Sequence, residues 1–137
     1  MKTVLKTTNK ELQFALSNEF TSIEVGANQN ISEAEKTFRP MELLLASLAS
    51  CSAIDILSIL KKQRQEYTSF EIITEGNRAD ATPSIFEKID LTILISGNVD
   101  ESKLVKAIDL TKEKYCSVYH ILAKSAHITY NYKIVKS

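Results

Sequence analysis

Apolar and polar residues alternate along the first part of the chain, which is the pattern of short strands. Two strands are predicted within residues 4–16, around a turn at Thr8-Asn9-Lys10, and a third strand over residues 20–25. Successive side chains of a strand point to opposite faces, so alternation buries one face and exposes the other. Residues 28–38 are polar without a period and predict a loop.

A long apolar segment then predicts a helix from residue 41 to about residue 66. Pro40 suits its first turn, where the missing N–H would be unpaired in any case. The basic residues Lys61, Lys62 and Arg64 complement the helix dipole at the other end. Apolar side chains cover nearly the whole circumference, so other elements must enclose this helix on most sides. A chain of this size has few elements for that purpose, and we therefore expect a homodimer.

Three further strands are predicted at residues 70–75, 85–95 and 126–135. Period-two alternation assigns Phe86 to the polar face of the second of these strands. The residues assigned to buried faces are Ile85, Ile89, Leu91, Ile93 and Ile95 in that strand, and Ile128, Tyr130, Tyr132 and Ile134 in the last.

A second helix is predicted between the last two strands. Asp100 is its expected N-cap, because a short polar side chain there can accept hydrogen bonds from the first backbone N–H groups. The expected buried stripe consists of Leu104, Ile108, Thr111 and Tyr115. Ser117 is the predicted cap of a short helix through Ala123. The order β-β-β-α-β-β-α-β predicts one α+β domain over residues 1–137.

Composition narrows the possible partners. Lys plus Arg and Asp plus Glu both number 17, so no basic field is available for a phosphate backbone or an anionic membrane surface. We therefore expect neither nucleic acid nor a membrane as a partner. Residues 43–60 approach a membrane-spanning length, but Asp55 near the middle favours a buried helix of a soluble protein. The N-terminal residues contain no apolar run of the kind found in signal peptides, which predicts a cytoplasmic protein.

Cys51 and Cys116 are the main candidates for chemistry. In a reducing cytosol two cysteines rarely form a structural disulfide, so they are inert core residues, a metal pair or a catalytic couple. Their wide separation, in a chain with only 2 histidines, argues against zinc, and we expect no metal.

Neither cysteine is activated by its own helix. A small core residue is the commoner role for a cysteine such as Cys51 in an apolar helix. Burial and the Asp55 carboxylate one turn away both disfavour the Cys51 thiolate, so its reactivity requires a cation from elsewhere. Cys116 is expected to end the second helix, where the dipole also disfavours a thiolate and suits the residue to a second, resolving step.

The sequence around both cysteines resembles the OsmC/Ohr family. The helix that carries the family's first cysteine is similar to residues 39–57, and the likeness is to the branch with Pro-Met-Glu-Leu-Leu. These residues read Arg-Pro-Met-Glu-Leu-Leu-Leu-Ala-Ser-Leu-Ala-Ser-Cys-Ser-Ala-Ile-Asp-Ile-Leu. Residues 113–118, Glu-Lys-Tyr-Cys-Ser-Val, resemble the segment with the second cysteine. Residues 83–89, Pro-Ser-Ile-Phe-Glu-Lys-Ile, resemble the strand that leads to the second helix. The resemblance covers about residues 36–135.

This resemblance implies an OsmC-like fold, with two sheets around central helices in an intertwined homodimer. It implies reduction of organic hydroperoxides in oxidative or osmotic stress defence. Cys51 would be the peroxidatic thiolate and Cys116 the resolving cysteine that condenses with its sulfenic acid. An external dithiol, such as a lipoyl protein, would be the reductant, and no metal or organic cofactor is implied.

The chain departs from the family's peroxidases at two positions. Their activating glutamate directly follows the proline, where this chain has Met41, and their arginine comes from the N-terminal strands, whereas residues 1–38 contain none. Glu42 and Arg39 are the remaining candidates for these roles. One alternative is a non-catalytic member of the same fold that binds a small ligand or senses redox state. Another is an interaction module with inert cysteines.

Overall fold

The computed structural model describes residues 1–27 and 36–135. The chain divides into two compact units, Met1–Leu44 and Leu45–Ser137. Of the loop predicted over residues 28–38, residues 28–35 lie outside the described part. The elements follow the predicted order, with the short third helix before the last strand. The α+β class and the presence of two sheets are confirmed, whereas the single domain stays a prediction.

The first unit holds an antiparallel sheet of three strands, β1 Val4–Thr7, β2 Gln13–Ser17 and β3 Ser22–Gly26. Asn18 forms the turn between β2 and β3, because its Oδ1 accepts hydrogen bonds from the backbone N–H groups of the two residues before β3, at 2.8 and 2.9 Å. An asparagine side chain favours such turns by replacing a backbone acceptor. The three predicted N-terminal strands are therefore confirmed.

Helix α1, Pro40–Lys62, ends before the predicted residue 66. Arg64 has a left-handed backbone, with φ at 58°. Its N–H donates to the Lys61 carbonyl at 3.0 Å, and the N–H of Gln65 donates to the Leu60 carbonyl at 2.9 Å. This pair of bonds closes a helix C-terminus and usually has glycine at the left-handed position. The predicted end was wrong because an arginine occupies that position.

One stripe of α1 is buried, and it consists of Leu48, Ser52, Ile56 and Leu60. These residues recur every fourth position and so share one helix face. Other apolar side chains of α1 stay exposed, and Ile54 is 67% exposed. A single chain therefore does not provide the expected enclosure. Within the described part, α1 is also the one helix whose length and composition would allow it to cross a membrane.

The second unit contains a mixed sheet of β4 Glu66–Arg78, β5 Phe86–Asn98 and β6 His127–Val135. Strand β5 lies in the middle, antiparallel to β4 and parallel to β6. The predicted buried face of β5 is confirmed at Ile89, Leu91, Ile93 and Ile95, which are fully buried. Ile93 and Ile95 pack in the core with residues of α1 and of the second helix.

The predicted faces were wrong at three residues of this sheet region. Phe86 is 6% exposed. Its ring lies against Gly76, where an added Cβ would collide with the ring. Ile85 precedes β5 and is 47% exposed. Tyr132 is 37% exposed, because its hydroxyl reaches out to donate to Glu101 Oε1 at 2.8 Å.

Helix α2, Glu101–Leu110, begins at the predicted N-cap, Asp100, whose side chain accepts from two backbone N–H groups. A π-helical turn, Thr111–Tyr115, follows and is closed by a bond from the Cys116 N–H to the Thr111 carbonyl at 2.9 Å. The wider turn adds one residue. Cys116 instead of Tyr115 therefore continues the buried stripe: Cys116 is fully buried and Tyr115 is 49% exposed. The stripe prediction was wrong at this last residue.

Candidate functional site

The second unit brings two cysteines and one carboxylate together. The sulfurs of Cys51 and Cys116 and a carboxylate oxygen of Asp55 all lie within 4.8 Å of one another. Cys51 and Asp55 lie one turn apart on the same face of α1, and Cys116 follows the π-helical turn. Both cysteines are free thiols; Cys116 is buried, whereas Cys51 is partly buried. We call Cys51, Asp55 and Cys116 the cysteine cluster.

Cys116 begins a helix instead of ending one. It is the N-cap of α3, Ser117–Leu122, a position that was wrongly predicted for Ser117. Its Sγ accepts a hydrogen bond from the backbone N–H of Tyr119 at 3.3 Å and lies 3.8 Å from Ser52 Oγ. Burial raises the pKa of the Cys116 thiol; the Tyr119 N–H opposes this rise, and the hydrogen bond with Cys51 adds to it. Cys116 is therefore mainly a protonated thiol near neutral pH.

A buried hydroxyl pair adjoins Cys116. Ser52 Oγ lies 2.7 Å from the hydroxyl oxygen of Tyr130 on β6, and either group can donate. Burial raises the pKa of Tyr130, so its phenol keeps its proton. Neither residue of this pair was among the predicted site residues. The available signal was Ser52 itself, a polar residue at the four-residue spacing of the otherwise apolar buried stripe.

Asp55 has an unsatisfied acceptor. Its Oδ2 is buried and has no hydrogen-bond partner among the described residues. Burial also raises the pKa of the Asp55 carboxyl. A buried carboxylate oxygen without a partner is costly. Since a carboxylate oxygen of Asp55 also lies near two sulfurs, the cluster is suited to hold a proton or a cation.

Lys112 brings a positive charge close to this region. It lies in the π-helical turn, and its Nζ is 5.8 Å from the centroid of the Tyr130 ring. Ammonium groups are attracted to the face of an aromatic ring at such distances. The turn that positions Cys116 therefore also positions a cation against Tyr130.

Arg39 and Glu42 lie in the first unit, where they bind each other. Glu42 Oε1 accepts from the Nε of Arg39 at 3.0 Å and from its backbone N–H at 2.9 Å. A carboxylate that reaches back to the residue before a helix is half of a capping box and stabilises the helix start. The side-chain hydrogen bond lowers the pKa of Glu42 and raises that of Arg39. Their participation in the chemistry stays a prediction.

A cleft of about 860 Å³ lies elsewhere in the second unit. Its lining includes Arg64, Glu66, Asp100, Glu101 and Lys103, and it shares no residue with the cysteine cluster. Pockets for small apolar ligands are lined mainly by apolar side chains. This charged cleft is therefore not suited to a small apolar ligand.

This chain is similar to known proteins in both sequence and fold. The family model for OsmC-like protein matches residues 32–131. Protein YhfA of Escherichia coli K12 is 36% identical over 105 residues, which cover 76% of this chain and 78% of YhfA. The crystal structure of a protein from Aquifex aeolicus VF5 is similar with a TM-score of 0.88 and 33% identity, over 99% of this chain and 96% of that one. The organic hydroperoxide resistance protein OhrB of Bacillus subtilis has a TM-score of 0.67 at 14% identity, over 96% of each chain, and shares the fold alone.

Proposed function

The chain belongs to the OsmC-like family, and we propose that it reduces organic hydroperoxides in the cytoplasm through Cys51 and Cys116, as part of oxidative stress defence. The observation that carries this proposal is the separation of the two sulfurs, which lie within 4.8 Å although the residues are far apart in sequence. Two thiols at this distance can form a disulfide after a small rotation of their side chains. The hydroperoxide resistance of OhrB, a protein of the same fold, agrees with this chemistry.

Cys51 is the attacking residue in this proposal, because it is the partly exposed member of the pair. Its thiolate attacks the outer oxygen of the hydroperoxide, the O–O bond breaks, and the alkoxide takes up a proton and leaves as an alcohol. Cys51 is oxidised to a sulfenic acid in this step. The charges of Glu42 and Arg39 belong to the same proposal as aids to thiolate formation.

Cys116 completes the cycle as the resolving thiol. Its sulfur attacks the Cys51 sulfenic acid, the S–O bond breaks, and the hydroxyl leaves with the Cys116 proton as water. The raised pKa of Cys116 keeps that proton on the sulfur until this step. An external dithiol, such as a lipoyl protein, then reduces the Cys51–Cys116 disulfide by thiol–disulfide exchange. No bound cofactor takes part.

The proposal is tested by hydroperoxide consumption. Reduced protein is mixed with cumene hydroperoxide and dihydrolipoamide, and the remaining hydroperoxide is measured over time. Cys51→Ser should abolish catalytic consumption. Cys116→Ser should stop after about two equivalents, one to form the sulfenic acid and one to oxidise it further, and accumulate sulfinic acid at Cys51, visible in the peptide mass. Ser50→Ala, which changes the exposed neighbour of Cys51, is the matched control and should keep the wild-type rate. Wild-type consumption by Cys51→Ser would overturn the proposal.

We also propose that the chain functions as a homodimer. Four isoleucines of the second unit are exposed in the single chain: Ile54 at 67%, Ile73 at 42%, Ile85 at 47% and Ile121 at 66%. A second copy of the chain that covers such side chains removes apolar surface from water, which is favourable. Sedimentation equilibrium should give twice the chain mass, and Ile54→Asp should shift the population towards monomer, whereas Lys106→Asp on α2 should not. A wild-type protein that is monomeric at micromolar concentration contradicts the dimer.

A further inference from the structure

The cysteine cluster also has the donor set of a metal site. We propose that the reduced protein binds one Zn²⁺ through the sulfurs of Cys51 and Cys116 and the carboxylate of Asp55, with water at the fourth position. The two cysteines are far apart along the chain, which argues against zinc, but the fold brings their sulfurs within 4.8 Å of each other. The inference deepens the proposed function, because it describes how a metal would regulate the same two thiols.

The distances fit a tetrahedral zinc ion after a small adjustment. With Zn–S bonds of about 2.3 Å and Zn–O bonds of about 2.0–2.2 Å, neighbouring ligand atoms are about 3.5–3.8 Å apart. The three ligand atoms of the cluster already lie within 4.8 Å of one another. Cys51 and Asp55 are four residues apart on α1, the spacing by which two ligands on one helix face bind the same ion. Shifts of about 1 Å in the ligand atoms, which rotation of the partly buried Cys51 and Asp55 side chains can supply, are sufficient to close the site.

The charges also favour a cation. Binding takes one proton from each thiol, so one Zn²⁺, two thiols and one carboxylate give a zinc centre with one net negative charge and release two protons. A cation at the Asp55 carboxylate would also offset the cost of its buried Oδ2, which has no hydrogen-bond partner among the described residues. The Tyr119 N–H, at 3.3 Å from Cys116 Sγ, and Ser52 Oγ, at 3.8 Å, can support the metal-bound sulfur as outer partners.

Zinc binding and peroxide reduction exclude each other in this arrangement. A metal-bound thiolate attacks a hydroperoxide more slowly than a free thiolate does, and the two sulfurs cannot form a disulfide while both hold the ion. Oxidation of the pair by a hydroperoxide therefore releases Zn²⁺, and Zn²⁺ inhibits the reduced protein. The reduced pair can therefore bind Zn²⁺, whereas the disulfide form cannot.

The proposal is tested with the reduced full-length chain without a histidine tag. Co²⁺ is used as a spectroscopic probe, and Zn²⁺ affinity is measured by competition with a chromophoric chelator. We expect one ion per chain, a thiolate-to-cobalt charge-transfer band, and the intense visible bands of a tetrahedral site. Asp55→Asn and Cys116→Ser should each weaken Zn²⁺ binding at least about tenfold. Asp109→Asn, which changes an exposed carboxylate on α2, should bind as wild type does. Diamide-oxidised protein should bind no ion.

Two results would overturn the metal site: a cobalt complex without the charge-transfer band, or equal Zn²⁺ affinity of Asp55→Asn and wild type. Asp55→Asn preserves the shape of the side chain, so it remains informative if Cys116→Ser does not fold. Zinc binding needs no peroxide turnover. A protein that binds Zn²⁺ but leaves hydroperoxide untouched supports the site and rejects the proposed function. A protein that consumes hydroperoxide but binds no Zn²⁺ rejects the metal site alone.

Discussion

Ser52 on α1 and Tyr130 on β6 share a hydrogen bond of 2.7 Å between their side-chain oxygens. The pair joins the buried stripe of the long helix to the last strand. Ser52 is fully buried and also lies 3.8 Å from Cys116 Sγ. Buried hydroxyl groups are stable only when they are hydrogen-bonded. The pair therefore contributes to the fold and sets the surroundings of Cys116 at the same time.

Tyr130→Phe should lower the free energy of unfolding by about 1–3 kcal/mol, because it leaves the buried Ser52 hydroxyl without its main partner. Urea denaturation of the reduced protein measures the change. Tyr132→Phe is the matched control, since Tyr132 is exposed and bonds only at the surface to Glu101. It should change stability by less than about 0.5 kcal/mol. Equal effects of the two substitutions contradict a structural role for the buried pair.

The raised pKa of Cys116 predicts a loss of stability at alkaline pH. The unfolded chain loses the Cys116 proton at the ordinary thiol pKa of about 8.5, whereas the folded chain holds it longer. The folded state then binds more protons, so stability falls as pH rises through that range. Cys116→Ala cannot titrate, and its unfolding free energy should decline less between about pH 8 and pH 10. Parallel declines of the two proteins, measured with reductant present, would contradict a raised pKa of Cys116 in the folded chain.

Asp55→Asn should stabilise the metal-free protein near neutral pH by up to about 1 kcal/mol. The ionised carboxylate is costly in the folded chain, because burial raises its pKa and Oδ2 lacks a partner. The cost vanishes below the ordinary aspartate pKa of about 3.9, where the folded and unfolded states are both protonated, so the gain should shrink as pH falls. Denaturation in the presence of a chelator measures it, with Asp109→Asn as the exposed control. A loss of stability at pH 7 contradicts the prediction.

Arg64→Gly should stabilise α1 by about 0.5–1 kcal/mol, because glycine adopts the left-handed backbone at φ 58° without the steric cost that arginine has. A glycine two residues earlier, at Lys62, is the control and should change the unfolding free energy in the opposite direction. Lys62 is the last residue of the helix, and Lys62→Gly should cost up to about 1 kcal/mol. Thermal and urea unfolding of both variants test the pair. The prediction fails if both substitutions destabilise the protein equally.

Lys112→Met should slow the reaction of the protein with hydroperoxide by about fivefold, the effect of losing a screened charge interaction of about 1 kcal/mol. Lys112 faces Tyr130 at 5.8 Å, whereas Lys114 of the same turn faces the exposed Tyr115 at 5.4 Å. Lys114→Met therefore removes an equivalent contact to an exposed tyrosine instead of the partly buried Tyr130 and should leave the rate unchanged. Stopped-flow measurement of Cys51 oxidation distinguishes the two. Equal rates for both variants would exclude Lys112 as a source of positive charge for the site.

Local features of the chain could be predicted from the sequence because their causes are local. The alternation from Ile89 to Ile95 predicted the buried face of β5, and Asp100 was correctly identified as the cap of α2. The prediction failed where a residue adopts a conformation that its type disfavours, as Arg64 does at the end of α1. It failed again at Tyr115, because a period of 3.6 residues cannot anticipate a π-helical turn.

The amino-acid sequence by itself determined the strands and helices, the family and the presence of two candidate thiols, since periodicity, capping and motif are properties of neighbouring residues. Only the tertiary structure decided that Cys116 faces inwards and that its sulfur lies near the Cys51 sulfur and the Ser52 hydroxyl. The reason is that one extra residue in the turn after α2 rotates the chain, and burial against α1 then selects which side chain fills the space. No local pattern encodes a contact between residues that the packing of separate elements brings together.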